Sequence, residues 1–135
     1  MIRVKDCMTT DVITIPSDLN LADARQRMFN HKIRHLPVFA GEHLVGIVSE
    51  RDINTVENIP GLRSEAISVQ HVMSSNPFTC SPDDGLDHVA KTMAENKLGA
   101  AIVMDQGKLV GIVSIIDVLH KLVEILCLQE SSRKV

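Results

Sequence analysis

The sequence predicts an α+β fold made of two tandem β-α-β-β-α repeats related by a pseudo-twofold axis. The length of 135 residues corresponds to about one average domain. The hexapeptide at residues 44–49 recurs letter for letter at residues 109–114, which indicates a duplicated unit. Within each copy, short β-branched runs alternate with stretches of helical periodicity, and this pattern is typical of mixed strands and helices.

The repeat also predicts the domain organisation. An ungapped offset of 65 residues pairs residues 4–54 with 69–119, and fifteen of the 51 paired positions are identical. A half of this size has a marginal core alone, so we expect two copies to bury each other's open faces and to form two related clefts. The predicted parts are repeat 1 at 1–58, a linker at 59–68, repeat 2 with a C-terminal helix at 69–128, and a flexible tail at 129–135.

The first copy is predicted to contain a strand, a helix and a hairpin. Residues 12–15 are predicted to form a strand that ends at Pro16, because proline cannot continue a sheet ladder. Ser17 or Asp18 is then the expected cap of a helix whose apolar residues recur with helical spacing. The runs at 36–39 and 44–48 predict a hairpin whose nearly continuous apolar character calls for cover on both faces. The second copy repeats the pattern, with Asp83 before its helix and strands at 101–104 and 109–113.

The last helix differs from the others. From Asp117 to Leu128 the apolar residues cover more than one helical face. One face is expected to pack on its own repeat, and the second predicts a helix–helix contact with another copy of the chain. The sequence therefore favours a homodimer.

Composition excludes several classes of function. Fourteen Lys and Arg against seventeen Asp and Glu give a net charge of −3, which disfavours a nucleic-acid partner. The three aromatic residues, all Phe, are too few for a base-stacking platform. No apolar run approaches the length of a membrane span, and the start does not resemble a signal peptide. Three distant cysteines are typical of reduced thiols, so we expect a cytoplasmic protein with no membrane partner.

Two duplicated polar motifs are the main candidate site. Ser49-x-x-Asp52 and Ser114-x-x-Asp117 each place a hydroxyl at a strand end and a carboxylate in the first helical turn. The helix N-terminus favours an anion such as phosphate, and a carboxylate can accept two hydrogen bonds from a vicinal diol such as that of ribose. The alternative is that both motifs are ordinary helix caps, which a duplication would copy as well.

The motif set resembles a known family. Leu36-Pro37-Val38 followed by Gly46-Ile47-Val48-Ser49-Glu50-Arg51-Asp52 is similar to the CBS domain, and the duplication resembles a tandem CBS pair, or Bateman module. This resemblance covers both copies and leaves no catalytic domain over. It implies a non-enzymatic regulatory sensor that binds AMP, ADP, ATP or S-adenosylmethionine in the clefts between the repeats. It also implies dimers formed through the terminal helices, whose rearrangement relays the ligand state to an unknown downstream partner.

The resemblance assigns the site residues by role. Asp52 and Asp117 are implied to hold ribose hydroxyls, and Ser49 and Ser114 to assist with ribose or phosphate. The backbone that meets the base edge is implied to be that of Thr14, Ile15, Pro16, Thr79, Cys80 and Ser81. The apolar walls are implied to be Leu36, Pro37, Ala101 and Ile102.

The two copies differ in charge. Arg34, His35 and Arg51 of the first copy predict that anionic groups are drawn toward them, since Arg forms strong forked bonds with phosphate. The second copy has Gly99, Ala100 and Ile116 at the matching positions, with Ala100 included among the predicted site residues. For the two arginines, the alternative is a solvated surface charge.

Other chemistry lacks a candidate in the sequence. His31 and His35 have helical spacing, but Pro37 disfavours a single helix through both, and no cysteine joins them. We therefore expect no metal and no required cofactor, only a regulatory ligand. No Gly-rich phosphate loop or nucleophile motif is present, so we expect no enzyme. The competing interpretation is an assembly module that dimerises through residues 117–128 and whose nucleotide clefts are vestigial.

Overall fold

The computed structural model of the chain describes residues 1–133 and confirms two mixed α+β repeats. Each repeat contains the predicted strand, helix, two strands and helix. The elements are β1 (Ile15–Pro16), α1 (Leu21–His31), β2 (His35–Ala40), β3 (His43–Ser49), α2 (Glu50–Glu57), β4 (Thr79–Cys80), α3 (Leu86–Glu95), β5 (Ala100–Asp105), β6 (Lys108–Ser114) and α4 (Ile115–Arg133).

Each repeat holds one three-stranded sheet. The strand orders are β1-β2-β3 and β4-β5-β6. In each sheet the first pair is parallel and the second is the antiparallel hairpin that the sequence predicted. Gly41 and Gly107 in the hairpin turns have φ values of +61° and +77°, a left-handed conformation that glycine adopts without steric cost.

The first strand is shorter than predicted and lies further along the chain. Residues 12–14 form no strand, and β1 consists of Ile15 and Pro16, which pair with Val38 and Phe39. Pro16 is the last residue of the strand, whereas the prediction placed it directly after the strand. Because β1 is an edge strand, the missing N–H of proline can face away from the ladder and leave the pairing intact.

The helix caps also differ from the prediction. Neither Ser17 nor Asp18 caps α1; the side chain of Asn20 accepts a hydrogen bond from the Asp23 N–H at 2.8 Å. The helix begins at Leu21, and the residue just before it is the one whose side chain can reach the first-turn N–H groups. In the second repeat the residue at the cap of α3 is Gly85, which supplies no side-chain bond, so Asp83 is not the cap either.

The chain divides into two compact units whose boundaries do not follow the sequence repeats. The Asp52 unit is Ile13–Pro77, and the Asp117 unit is Met1–Val12 together with the chain from Phe78. The first twelve residues, which the sequence assigned to the first repeat, thus pack with the second repeat. The predicted linker likewise packs on the Asp52 unit, where the Leu21 N–H donates to the Ile67 carbonyl at 2.9 Å.

Backbone pairing explains this packing. We call the residues around Thr9 and those around Ser74 the exchanged segments, because each pairs with the sheet of the other sequence repeat. Thr9 and Ile112 donate to each other's carbonyl oxygens at 2.9 Å in both directions, and Ser74 and Ile47 do the same at 2.9 and 3.1 Å. These bonds satisfy backbone groups on the outer side of β6 and β3, which are edge strands. The segment around Thr9 therefore pairs with β6, and the segment around Ser74 pairs with β3.

Both cores are aliphatic, as the composition predicted. The core of the Asp52 unit is formed by Ile15, Leu21, Ala24, Met28, Leu36, Val38, Val48, Ile53 and Val69. The core of the Asp117 unit is formed by Val4, Leu86, Val89, Met93, Ala101, Val103 and Val113. Val4 and Val69, from the exchanged segments, are both fully buried, so these segments contribute directly to the cores.

The last helix runs past the predicted end. It continues to Arg133, whereas the sequence analysis ended it at Leu128 and placed a flexible tail after it. The Ser132 hydroxyl donates to the Leu128 carbonyl at 3.1 Å within this extension. Residues 134–135 of the predicted tail lie outside the described residues. Among residues 1–133, no helix combines the length and the apolar character needed to cross a bilayer.

Close packing of the exchanged segments predicts a difference between two glycines. A Cβ at Gly46 would lie 2.6 Å from both the Met73 sulfur and the Ser74 carbonyl oxygen. A Cβ at Gly111 would lie 2.7 Å from the Met8 sulfur, which can move, and 3.1 Å from the Thr9 carbonyl oxygen. We expect Gly46→Ala to lower the free energy of unfolding by about 1–3 kcal/mol in urea denaturation, and Gly111→Ala by less. An equal or reversed order would contradict this packing.

Candidate functional site

The first candidate carboxylate lies at the start of α2. The Asp52 N–H donates to the Ser49 hydroxyl at 3.1 Å, and the Ser49 N–H donates to Asp52 Oδ2 at 2.9 Å. The Glu50 N–H donates to the Arg34 carbonyl at 2.9 Å, which holds the helix start beside the beginning of β2. Ser49 and Asp52 thus form a reciprocal capping box.

The second carboxylate has the same cap and additional partners. The Ser114 N–H and hydroxyl donate to Asp117 Oδ2 at 2.8 and 3.0 Å, and the Asp117 N–H donates to the Ser114 hydroxyl at 3.2 Å. The Thr9 hydroxyl donates to Asp117 Oδ1 at 3.1 Å, and the Cys7 thiol donates to the Asp117 carbonyl at 3.3 Å. The exchanged N-terminal segment therefore reaches this site.

The capping interpretation that the sequence left open is thus observed at both motifs. Capping does not use all of the acceptor capacity of a carboxylate, whose two oxygens together accept about four hydrogen bonds. Asp52 accepts one side-chain hydrogen bond from residues 1–133, at Oδ2. Asp52 therefore caps its helix and still has an oxygen, Oδ1, with which to accept hydroxyl groups from a ligand.

Strand alternation separates the other predicted site residues into two faces of each sheet. The cores contain Ile15 and Leu36 in the Asp52 unit, and Ala101 with Cys80 packed against it in the Asp117 unit. Since successive side chains of a strand point to opposite faces, their neighbours lie on the face away from the core. Those neighbours are Pro16, His35, Pro37 and Ser49 in the Asp52 unit, and Thr79, Ala100, Ile102 and Ser114 in the Asp117 unit. Thr14 directly precedes β1 and Ser81 directly follows β4, so both lie outside the strands.

Within each unit, this arrangement places part of the predicted set on the sheet face that leads to the carboxylate. His35 pairs with Ser49, and Ala100 pairs with Ser114, so each sheet face leads directly to its capped carboxylate. The side chains of Ile15, Leu36, Cys80 and Ala101 face their own cores, so these residues can offer a ligand only their backbone groups. Pro37 and Ile102 are on the carboxylate side of the sheet and are fully buried.

Charge distinguishes the Asp52 site. The side chains of Arg34 and Arg51 are exposed near the start of α2, which permits both an anion contact and simple solvation. Burial lowers the pKa of the half-buried His35 imidazole below its ordinary value; the Asp52 carboxylate raises this pKa and the Arg34 guanidinium lowers it further. The neutral imidazole is therefore favoured beside the carboxylate.

Cys7 and Cys80 are partly buried, and both have raised thiol pKa values. Burial, together with the nearby Asp84 carboxylate, raises the pKa of Cys80 to about 11. Burial also raises the pKa of Cys7, and the Asp117 carboxylate adds to this effect. Because the thiolate is the reactive form, both side chains remain thiols near neutral pH.

Sequence reasoning missed Thr9 and Cys7. Both belong to the first repeat in sequence, yet they contact Asp117 of the second repeat. One signal was available: the offset of 65 residues pairs Thr9 with Ser74, so a hydroxyl recurs at this position. Nothing in the spacing indicated that the segments exchange partners.

Comparison with known proteins identifies the class to which this fold and site belong. The sequence pattern of the CBS domain matches residues 4–57 and again residues 69–124. The chain belongs to the CBS-domain family, with two copies of the domain in tandem.

Individual relatives agree with this assignment. The CBS domain-containing protein YhcV of Bacillus subtilis is 32% identical over 117 residues, which are 87% of this chain and 83% of that protein. The CBS domain pair of protein MJ0100, solved with 5′-methylthioadenosine and S-adenosylmethionine, has a TM-score of 0.81 and 27% identity, covering 90% of this chain and 96% of the other. CBSX2, solved with AMP, has a TM-score of 0.79 and 26% identity, covering 93% of this chain and 98% of the other.

Some relatives are much longer enzymes. The chain spans 22% of the length of a homoserine O-acetyltransferase from Methanosalsum zhilinae and 24% of an inosine-5′-monophosphate dehydrogenase from Korarchaeum cryptofilum. The similarity therefore concerns a part of each of these enzymes.

The burial of His35 predicts a pH dependence of stability. The folded chain favours the neutral imidazole, so the unfolded chain binds a proton more readily. The stabilising contribution is present above the unfolded pKa of about 6.5 and is lost as the pH falls below it. We expect His35→Gln to flatten the fall in unfolding free energy below pH 6.5 in urea titrations. His31→Gln, which replaces an exposed side chain, serves as the control and should keep the wild-type profile; identical slopes in all three chains would contradict this.

Proposed function

We propose that this chain is a non-enzymatic regulatory module that binds an adenosine-containing ligand through Asp52 and Asp117. The ligand is AMP, ADP, ATP or S-adenosylmethionine, and the carboxylates accept hydrogen bonds from its ribose. One observation carries the proposal: Asp52 caps α2 through Oδ2 alone and keeps Oδ1 for a hydroxyl group.

The surroundings of Asp52 support this assignment. The N-terminus of α2 carries a partial positive charge that favours phosphate, and Arg34 and Arg51 lie near it. His35 and Ser49 share the sheet face that leads to the carboxylate, so hydrogen-bonding groups line the approach. We therefore propose that the anionic part of the ligand contacts the arginines and the ribose contacts Asp52.

Relatives with known ligands support the chemical class. The MJ0100 pair was solved with two adenosyl compounds and CBSX2 with AMP, and each of the two covers at least 90% of this chain. Their common element is adenosine, and its ribose is the part that a carboxylate can bind. The enzymes among the relatives contribute no activity to this proposal, because the chain spans about a quarter of their length or less.

Isosteric replacement of the carboxylates tests the proposal. We expect AMP, ADP, ATP or S-adenosylmethionine to bind the wild-type chain in isothermal titration calorimetry. Asp52→Asn should weaken binding at its site about 10- to 100-fold, since one hydrogen bond to a charged group contributes about 1.5–3 kcal/mol. Asp117→Asn should weaken binding at the second site in the same sense.

The control for these variants is Asp18→Asn, which changes an exposed carboxylate of the Asp52 unit that lies outside the site. It should bind like the wild type. Failure of every ligand in the panel to bind the wild-type chain, or equal affinity in Asp18→Asn and Asp52→Asn, would overturn the proposal.

A second candidate function, a dimerisation scaffold with vestigial ligand sites, is favoured by the surface of α4. A groove of about 440 Å³ between α3 and α4 is lined mainly by apolar side chains, among them Ala90, Leu98 and Leu119. Leu122, Val123 and Leu126 continue the apolar surface, each about half exposed. Such a surface suits a second copy of the chain, whose α4 offers the same side chains.

The corresponding surface of the Asp52 unit is closed by polar groups. Arg25, which aligns with Ala90, donates to Glu57 and to Asn54. These two residues align with Leu122 and Leu119, so the same place is polar in one unit and apolar in the other. This difference supports the interpretation that α4, rather than α2, makes the contact between subunits.

Sedimentation velocity separates the two candidate functions. A scaffold forms a ligand-independent dimer that Asp52→Asn leaves unchanged, whereas a sensor changes its sedimentation when the ligand binds. Four further points stay predictions of the sequence: the location of the ligand between the repeats, the relay through dimer rearrangement, the downstream partner and the cytoplasmic setting.

A further inference from the structure

We propose that Thr9 sets the sugar specificity of the Asp117 site: its hydroxyl occupies the carboxylate oxygen that the second hydroxyl of a ribose needs. This inference rests on the proposed function and deepens it. The contact of Thr9 with Asp117 makes the Asp117 site tolerant of 2′-deoxyribose, while the Asp52 site requires the complete vicinal diol.

The position of Thr9 follows from its backbone. Reciprocal hydrogen bonds with Ile112 hold Thr9 against β6 at 2.9 Å in both directions. Val4, earlier in the same segment, is fully buried in the core of the Asp117 unit, and the Cys7 thiol donates to the carbonyl of Asp117. The Thr9 hydroxyl is thereby placed 3.1 Å from Asp117 Oδ1.

The number of acceptor positions decides the specificity. Each carboxylate oxygen accepts about two hydrogen bonds. Asp117 Oδ2 accepts two from Ser114, and Oδ1 accepts one from Thr9, which leaves one position for a ligand hydroxyl. A vicinal diol needs two, so one ribose hydroxyl gains nothing from Asp117 while Thr9 stays bound.

The Asp52 unit provides the internal comparison. Ser74 aligns with Thr9 and pairs in the same way with Ile47, but among residues 1–133 its hydroxyl makes no hydrogen bond to Asp52. Asp52 accepts a single side-chain bond, from the Ser49 N–H, so it can accept both hydroxyls of a diol. Threonine is also more restricted at χ1 than serine, which limits the positions that its hydroxyl oxygen can occupy.

The experiment compares adenosine with 2′-deoxyadenosine, because the nucleoside is common to every proposed ligand. Affinities are measured by NMR titration of isotope-labelled protein in the Asp52→Asn background, in which the Asp117 site remains. We expect the two nucleosides to bind with similar affinity there. Adding Thr9→Val, which deletes the hydroxyl at nearly constant volume, should produce about a tenfold preference for adenosine.

Two further variants test whether the change in preference requires the loss of the Thr9 hydroxyl. Thr9→Ser retains the hydroxyl and should leave the two affinities similar. Ser74→Ala in the Asp117→Asn background should keep the preference of the Asp52 site for adenosine unchanged.

The outcomes are distinguishable. If Thr9→Val leaves the ratio of affinities as it is, or if the Asp52→Asn chain binds neither nucleoside while the Asp117→Asn chain binds adenosine, this inference is overturned and the proposed function at Asp52 stands. If the wild-type chain binds neither nucleoside, this inference is overturned, while the proposed function falls only if AMP, ADP, ATP and S-adenosylmethionine also fail to bind. A rise in the ratio confined to Thr9→Val supports the inference.

Discussion

The structure depends on the backbone pairing of two exchanged segments with the outer strands of the two sheets. Thr9 with Ile112, and Ser74 with Ile47, satisfy edge groups that would otherwise be left to solvent. Gly111 and Gly46 permit this approach, since a side chain at either position would collide with the segment. The same pairing buries Val4 and Val69 in the two cores. The Asp117 unit is therefore built from two separate parts of the chain, whereas the Asp52 unit is one continuous stretch.

This constraint also shapes the site. The carboxylates occupy equivalent places at the starts of α2 and α4, but the segments that reach them differ. Thr9 and Cys7 contact Asp117, while Ser74 leaves the carboxylate of Asp52 to its cap. Two copies of one motif thus have unequal hydrogen-bonding capacity. The two repeats also differ in charge, since Gly99 and Ile116 stand where the first repeat has Arg34 and Arg51. This difference supports the proposal that the anionic part of a ligand binds beside Asp52.

The sequence predicted the repeats, the hairpins and the capping motifs because each is a local pattern of periodicity or spacing. It misplaced β1, since two residues of an edge strand carry too little periodicity to locate, and it missed Asn20 as the cap of α1. Segment exchange was out of reach, because identical local patterns fit pairing within a repeat or between repeats equally well. For the same reason Thr9 could not be assigned to Asp117, although the alignment with Ser74 marked the position.

The central claim is that a capping carboxylate serves as a ribose acceptor as well. A crystal structure of the chain grown with AMP tests this most directly. The account predicts a ribose hydroxyl within about 2.5–2.7 Å of Asp52 Oδ1, with the bond from the Ser49 N–H to Oδ2 retained. A nucleotide bound elsewhere, with Asp52 making only its cap, would contradict the claim and leave the carboxylates as structural groups.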